Sequence, residues 1–119
     1  MYDTDEEIER LVRAFESCTI AAADFHHREH LVVTVWYLQT LSRDETLDAM
    51  RAGLLRFIDH HGVDPKKYSE ETTVYWIREI ARLLEEINAG ASLPEKCKAV
   101  TDAFSSTARK PTAPVAAVE

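Results

Sequence analysis

The stretch DFHHREHLVVTVWYLQTL, residues 24–41, constrains the fold more than any other, because it opens with three histidines and continues as the most apolar segment of the chain. Leu31, Val32, Val33, Val35, Trp36, Tyr37 and Leu38 leave few polar positions on any side. A helix of that composition must be surrounded by other elements. The β-branched residues between Val32 and Val35 would also suit a strand. The length of the apolar pattern and the lack of any partner-strand signal favour a central helix.

The rest of the chain supplies what such a helix needs. Thr4 and Asp5 can cap a first helix to about Ser17, with Glu6 and Glu7 in its first turn and Ile8, Leu11, Val12 and Phe15 at helical spacing. Asp24 reads as the N-cap of the second helix, which places His26 and His27 in its first turn. Ser42 with Glu45 forms a capping box for a third helix carrying Leu47, Met50, Leu54, Leu55, Phe57 and Ile58, and Gly62 follows as a left-handed C-cap. Ser69 can cap a long fourth helix stopped by Gly90. Its stripe Glu70, Thr73, Ile77, Ile80 and Leu84 turns Glu70 toward the end of the core. Ser92 and Glu95 box a short fifth helix to about Phe104. The expected architecture is all-α: an up-down helical bundle of four main helices plus a short fifth, in a single domain over residues 1–104. Residues 105–119, rich in Ser, Thr, Pro and Ala without periodicity, are expected to be disordered.

Composition narrows the function. At 119 residues with 45% hydrophobic content there is enough chain for one core. The net charge of -7, from 21 acidic against 14 basic side chains, and the absence of a basic cluster interleaved with aromatics argue against nucleic acid. No apolar run approaches the roughly 18 residues of a membrane span, and the acidic start MYDTDEEIER is unlike a signal peptide, so a cytoplasmic protein is expected. Cys18 and Cys97 are isolated and read as buried thiols.

The histidines carry the chemistry. His26 and His30 are four apart and His27 and His30 three apart, so either pair projects from one helical face, as two imidazoles sharing a metal must. In an up-down bundle the starts of the second and fourth helices share an end with the finish of the third, which brings His60, His61, Glu70 and Thr73 toward that pair. Imidazoles with one carboxylate suit a divalent transition metal, Zn, Fe, Mn or Ni, with a position left for water. Histidine in the last turn of a helix also has a plain explanation in the helix dipole. Tyr37, Trp36, Tyr75 and Trp76 at helical spacing fit a core better than a pocket.

The segments H-x-x-H-L at His27, His30 and Leu31, H-G at His61 and Gly62, and Y-x-E-x-x-T-x-x-W at Tyr68, Glu70, Thr73 and Trp76 resemble the pattern of a family of small, uncharacterised bacterial helical proteins. The resemblance spans roughly residues 25–83. It implies that His27 rather than His26, and His61 rather than His60, belong to the site. The pattern often has His where Ser69 stands and Trp where Phe25 stands.

Three readings follow. In the first, the chain is a metal-dependent enzyme acting on a small molecule, with His27, His30 and His61 as metal ligands and Glu70 as fourth ligand or catalytic general base, Thr73 supporting it. In the second, it is a non-catalytic accessory protein binding a small ligand or anion at the same end, where two helix N-termini meet. In the third, Glu70 and the imidazoles hydrogen-bond one another as a structural plug.

Overall fold

The computed structural model describes residues 2–104, and the expectation for residues 105–119 lies outside them. The described chain is helical with no strand: α1 (Asp5–Glu16), α2 (His27–Leu38), α3 (Arg43–His60), α4 (Glu70–Glu86) and α5 (Leu93–Phe104), with short 3-10 turns at Ala22–Asp24 and Pro65–Lys67. No helix among the described residues is long and apolar enough to cross a membrane.

α2 is packed by each of the other four helices. Its sequence requires this, because Leu31, Val32, Val33 and Val35 are all buried and point in different directions around the axis. The surrounding helices are amphipathic and turn one stripe each inward: Ile8, Leu11, Val12 and Phe15 from α1, Met50, Leu54, Phe57 and Ile58 from α3, Trp76, Ile77 and Ile80 from α4, Cys97 and Val100 from α5. Both cysteines are buried free thiols.

The caps form largely as the residue types dictate. The Thr4 hydroxyl accepts from the Glu7 N–H at 3.1 Å. Ser42 and Glu45 exchange backbone and side-chain bonds of 3.0 and 3.1 Å, and Ser92 and Glu95 do the same at 2.7 and 3.3 Å. α3 closes in a Schellman motif, with Gly62 at φ +71° and the Val63 N–H donating to the Ile58 carbonyl at 2.8 Å. α1 closes the same way, but its left-handed residue is Cys18, at φ +61°, with the Thr19 N–H donating to Ala14 at 2.9 Å. Two boundaries differ from the sequence expectation. Asp24 ends a 3-10 turn, and the cap of α2 is His26, whose N–H donates to the buried Glu29 carboxylate at 3.0 Å. α4 ends at Glu86 with Ile87 extended, short of Gly90.

Beneath the start of α2 lies a layer of aromatic rings. Phe15 stacks on Phe25 at 4.9 Å between centroids, and Phe57 closes against both at 5.9 and 5.2 Å. Gly53 makes the layer possible, since a Cβ there would lie 2.6 Å from Phe15 Cε2.

Candidate functional site

The imidazoles sit directly on this aromatic layer. His30, 5% exposed, lies 6.0 Å from the Phe25 ring, and His61 lies 4.4 Å from Phe57, so the start of α2 and the finish of α3 border the same aromatic layer. α4 joins them through Trp76, whose ring meets that of His27 edge-on at 5.0 Å. Phe104, at the end of α5, also packs on Trp76, with ring centroids 5.4 Å apart.

His27 is 8% exposed, and neither its Nδ1 nor its Nε2 makes a hydrogen bond. Burial pushes its pKa down, and the nearby backbone of Phe104 works in the opposite direction. His30 is pushed further, to about 3, first by burial and then by the charge His27 would carry. Both rings are therefore neutral at pH 7, the form in which imidazole binds metals. Three further buried polar atoms lack partners: Thr46 Oγ1, His61 Nε2 and the Trp76 indole Nε1–H.

Glu70 behaves differently from its place in the stripe. Its side chain is 46% exposed and forms a two-pronged ion pair with the Arg51 guanidinium on α3, while the Tyr68 hydroxyl donates to it at 2.7 Å. Arg51 and then Tyr68 hold its pKa down at about 2. The cause is position: at the first residue of α4 the chain has only just left the loop, so the side chain reaches across to α3 rather than into the core. Thr73, one turn on, is buried, and its hydroxyl donates to the Ser69 carbonyl at 2.9 Å. Among the described residues no three His, Cys, Asp or Glu side chains form a group arranged to hold a metal. His30 and His61 thus rest on the same phenylalanine layer, His27 packs on Trp76, and Glu70 is turned toward Arg51.

No protein-family model, curated protein or solved structure matches this chain. The reading of the site rests on its own geometry.

That geometry contains residues that spacing did not single out. Glu29 is 3% exposed and accepts from the Tyr2 hydroxyl at 2.8 Å, from the His26 N–H and from Arg28. Burial raises its pKa, but these donors outweigh burial and bring it below the ordinary value, so Glu29 is an anchored carboxylate that fixes the turn carrying His27. A Glu three residues after a cap is the capping-box signal that could have found it. Trp76 stands in the sequence as the last residue of the Y-x-E-x-x-T-x-x-W pattern and as an aromatic that fits a core better than a pocket. Its unpaired N–H depends on what α5 leaves beside it, which no local pattern encodes.

Proposed function

We propose that this chain is a small metal-binding protein in which His27 and His30 hold a divalent transition metal, with His61 beside them and Glu70 as a positioning residue. The supporting observation is His27, buried with both nitrogens unbonded. A buried polar group without a partner costs about 1–3 kcal/mol, and native folds resolve such groups with a bound water or ion. Neutral imidazoles suit Zn, Ni or Fe better than Mn. Glu70 acts through the Arg51 and Tyr68 contacts, which tie the loop before α4 to α3 and so set Trp76 against His27. In this reading the helices run up and down, the protein is cytoplasmic and related to the bacterial helical family its motifs resemble, and the open metal positions serve a small molecule, as substrate if the protein is a metal-dependent enzyme.

Metal content of untagged protein tests the reading. Zn, Ni or Fe bound near one equivalent, lost in His27→Ala and kept in Glu70→Gln, is the expected result. Metal absent from wild type after dialysis against each ion refutes it, and loss in Glu70→Gln with the fold intact restores Glu70 as a ligand. A second reading is favoured by Trp76: its indole N–H can only donate, so an unpaired one fits a hydrogen-bond acceptor on a small ligand bound without metal. Ligand binding in the absence of metal would establish that alternative.

A further inference from the structure

Where α2 ends, the molecule has a groove in which the histidines take no part. It lies among the finish of α2, the start of α3, the last turns of α4 and the first turn of α5, and holds about 340 Å³. Spaces of this size between the helices of a bundle are where small molecules bind. His27 opens α2 and Leu38 closes it, so about 16 Å of helix separates the groove from the imidazoles at the start.

The lining has an apolar part and a charged part. Leu38, Leu41 and Leu84 are partly buried against the core and Ala81 is buried, and these four make the apolar part. In the charged part Lys96, partly buried, donates from its ammonium to the Gln39 side-chain oxygen at 3.2 Å. That oxygen is neutral, and among the described residues no carboxylate pairs with Lys96. The carbonyl end of α2 offers roughly half a unit of negative charge here, which steadies the ammonium without neutralising it. Arg43 meets Glu85 through Nη2 at 3.3 Å, and the Glu85 side chain is 72% exposed. Such a pair is loose, and a guanidinium has further N–H groups for a second acceptor. Two cations and one carboxylate leave the groove with a single positive charge.

We propose that this groove binds a monocarboxylate with a compact apolar tail, its carboxylate on Lys96 and Arg43 and its tail against Leu38, Leu41, Ala81 and Leu84. One negative charge balances the one that the groove leaves. A dianion would exceed it and meet both Glu85 and the protein's net charge of -7. A neutral molecule gains the apolar part alone. The site is independent of the histidine end and of whether a metal binds there.

Octanoate titrated into the full, isotope-labelled chain, with octanol as its uncharged counterpart, tests this through amide chemical shifts. Octanoate should give saturable shifts centred on residues 38–43, 81–85 and 93–96 and bind about tenfold or more tighter than octanol, the effect of hydrogen bonds to a charged group. Lys96→Gln should reduce octanoate to the affinity of octanol at an unchanged Tm, and Lys96→Arg should keep most of the binding. Glu85→Gln, which removes the repelling carboxylate, should tighten it. His27→Ala should leave octanoate binding as it is, whatever its effect on metal. No saturable shift up to about 10 mM octanoate overturns the proposal. Octanol bound as tightly as octanoate overturns the carboxylate assignment, as does unchanged octanoate affinity in Lys96→Gln. Shifts centred on another face, such as that of Leu11 and Ile20, put the binding elsewhere and overturn it as well.

Discussion

Gly53→Ala should destabilise this protein, although the same change in an exposed helix interior would stabilise it by about 1 kcal/mol. Gly53 lies inside α3, and the added Cβ would stand 2.6 Å from Phe15 Cε2 and 2.8 Å from Cζ, about 1 Å inside the usual carbon contact of roughly 3.5–4.0 Å. Phe15 has nowhere to go: it is fully buried, stacked on Phe25 at an interplanar angle of 11° and closed off by Phe57. Forcing a methyl into such a place costs about 1–3 kcal/mol, and the overlap puts this case toward the upper end. After subtracting the helix-propensity gain, a net loss of about 1–2 kcal/mol remains, equivalent to a Tm drop of roughly 5–15 °C in a domain of this size. Urea unfolding followed by circular dichroism at 222 nm measures it. Phe15→Leu should partly relieve the clash, so the double variant should lose less than the two single losses added together. Wild-type or higher stability in Gly53→Ala, or strict additivity in the double variant, would refute the packing argument. If His27 and His30 hold a metal as proposed, the substitution should also weaken its uptake, because Phe25 packs against His30 and Phe57 against His61.

Acid stability should depend on His30. Its folded pKa of about 3 lies below the unfolded value near 6.5, so the unfolded chain takes up the proton first, and stability is complete above about pH 6.5 and falls as the pH drops toward 3. The difference of about 3.5 pH units corresponds to a loss approaching about 5 kcal/mol, and the Tm of His30→Gln should fall less steeply than that of wild type between pH 6.5 and 4.5; parallel curves would contradict the assignment. Glu70→Gln should lower stability by under about 1 kcal/mol, because its pair with Arg51 is largely exposed, and the effect should shrink at high salt in the same melts. At Cys18, whose backbone is left-handed, Asn should be tolerated better than the β-branched Val by about 1 kcal/mol in urea unfolding. Cys97, buried and with its thiol pushed up to about 12, should resist a disulfide reagent at pH 8 until urea exposes it, as absorbance of the released thiolate would show.

The fold was legible where a local rule decides. Ser42 with Glu45, Ser92 with Glu95 and Gly62 after His61 mark helix ends that depend only on neighbouring residues, and each forms as its residue types require. The α2 cap was misplaced because Asp24 and His26 can both begin a helix, and the choice fell to Glu29, whose carboxylate reaches the His26 N–H. The placement of His27 and His30 on one helix, three residues apart, could be read directly. The fate of Glu70 could not, because Arg51 lies 19 residues away and only the packing of α3 on α4 brings it within reach. The aromatic layer is of the same kind: Phe15, Phe25 and Phe57 belong to separate segments, and Gly53 reads as a weak helix residue until the ring beside it is seen.

α2, enclosed by four neighbours, has a consequence for how the molecule opens. Its hydrogen-bonded amides can meet solvent only when several helices leave together, whereas α1 and α5 each have fewer helices to part from. Hydrogen exchange should therefore divide the chain: amides near Val33 and Val35 should exchange only through global unfolding and share its free energy, while those of α5 exchange through smaller openings. On this account α5, whose last residue packs on Trp76, is the element whose departure uncovers His27. The imidazoles would then become accessible on the timescale of one helix detaching, without the core coming apart.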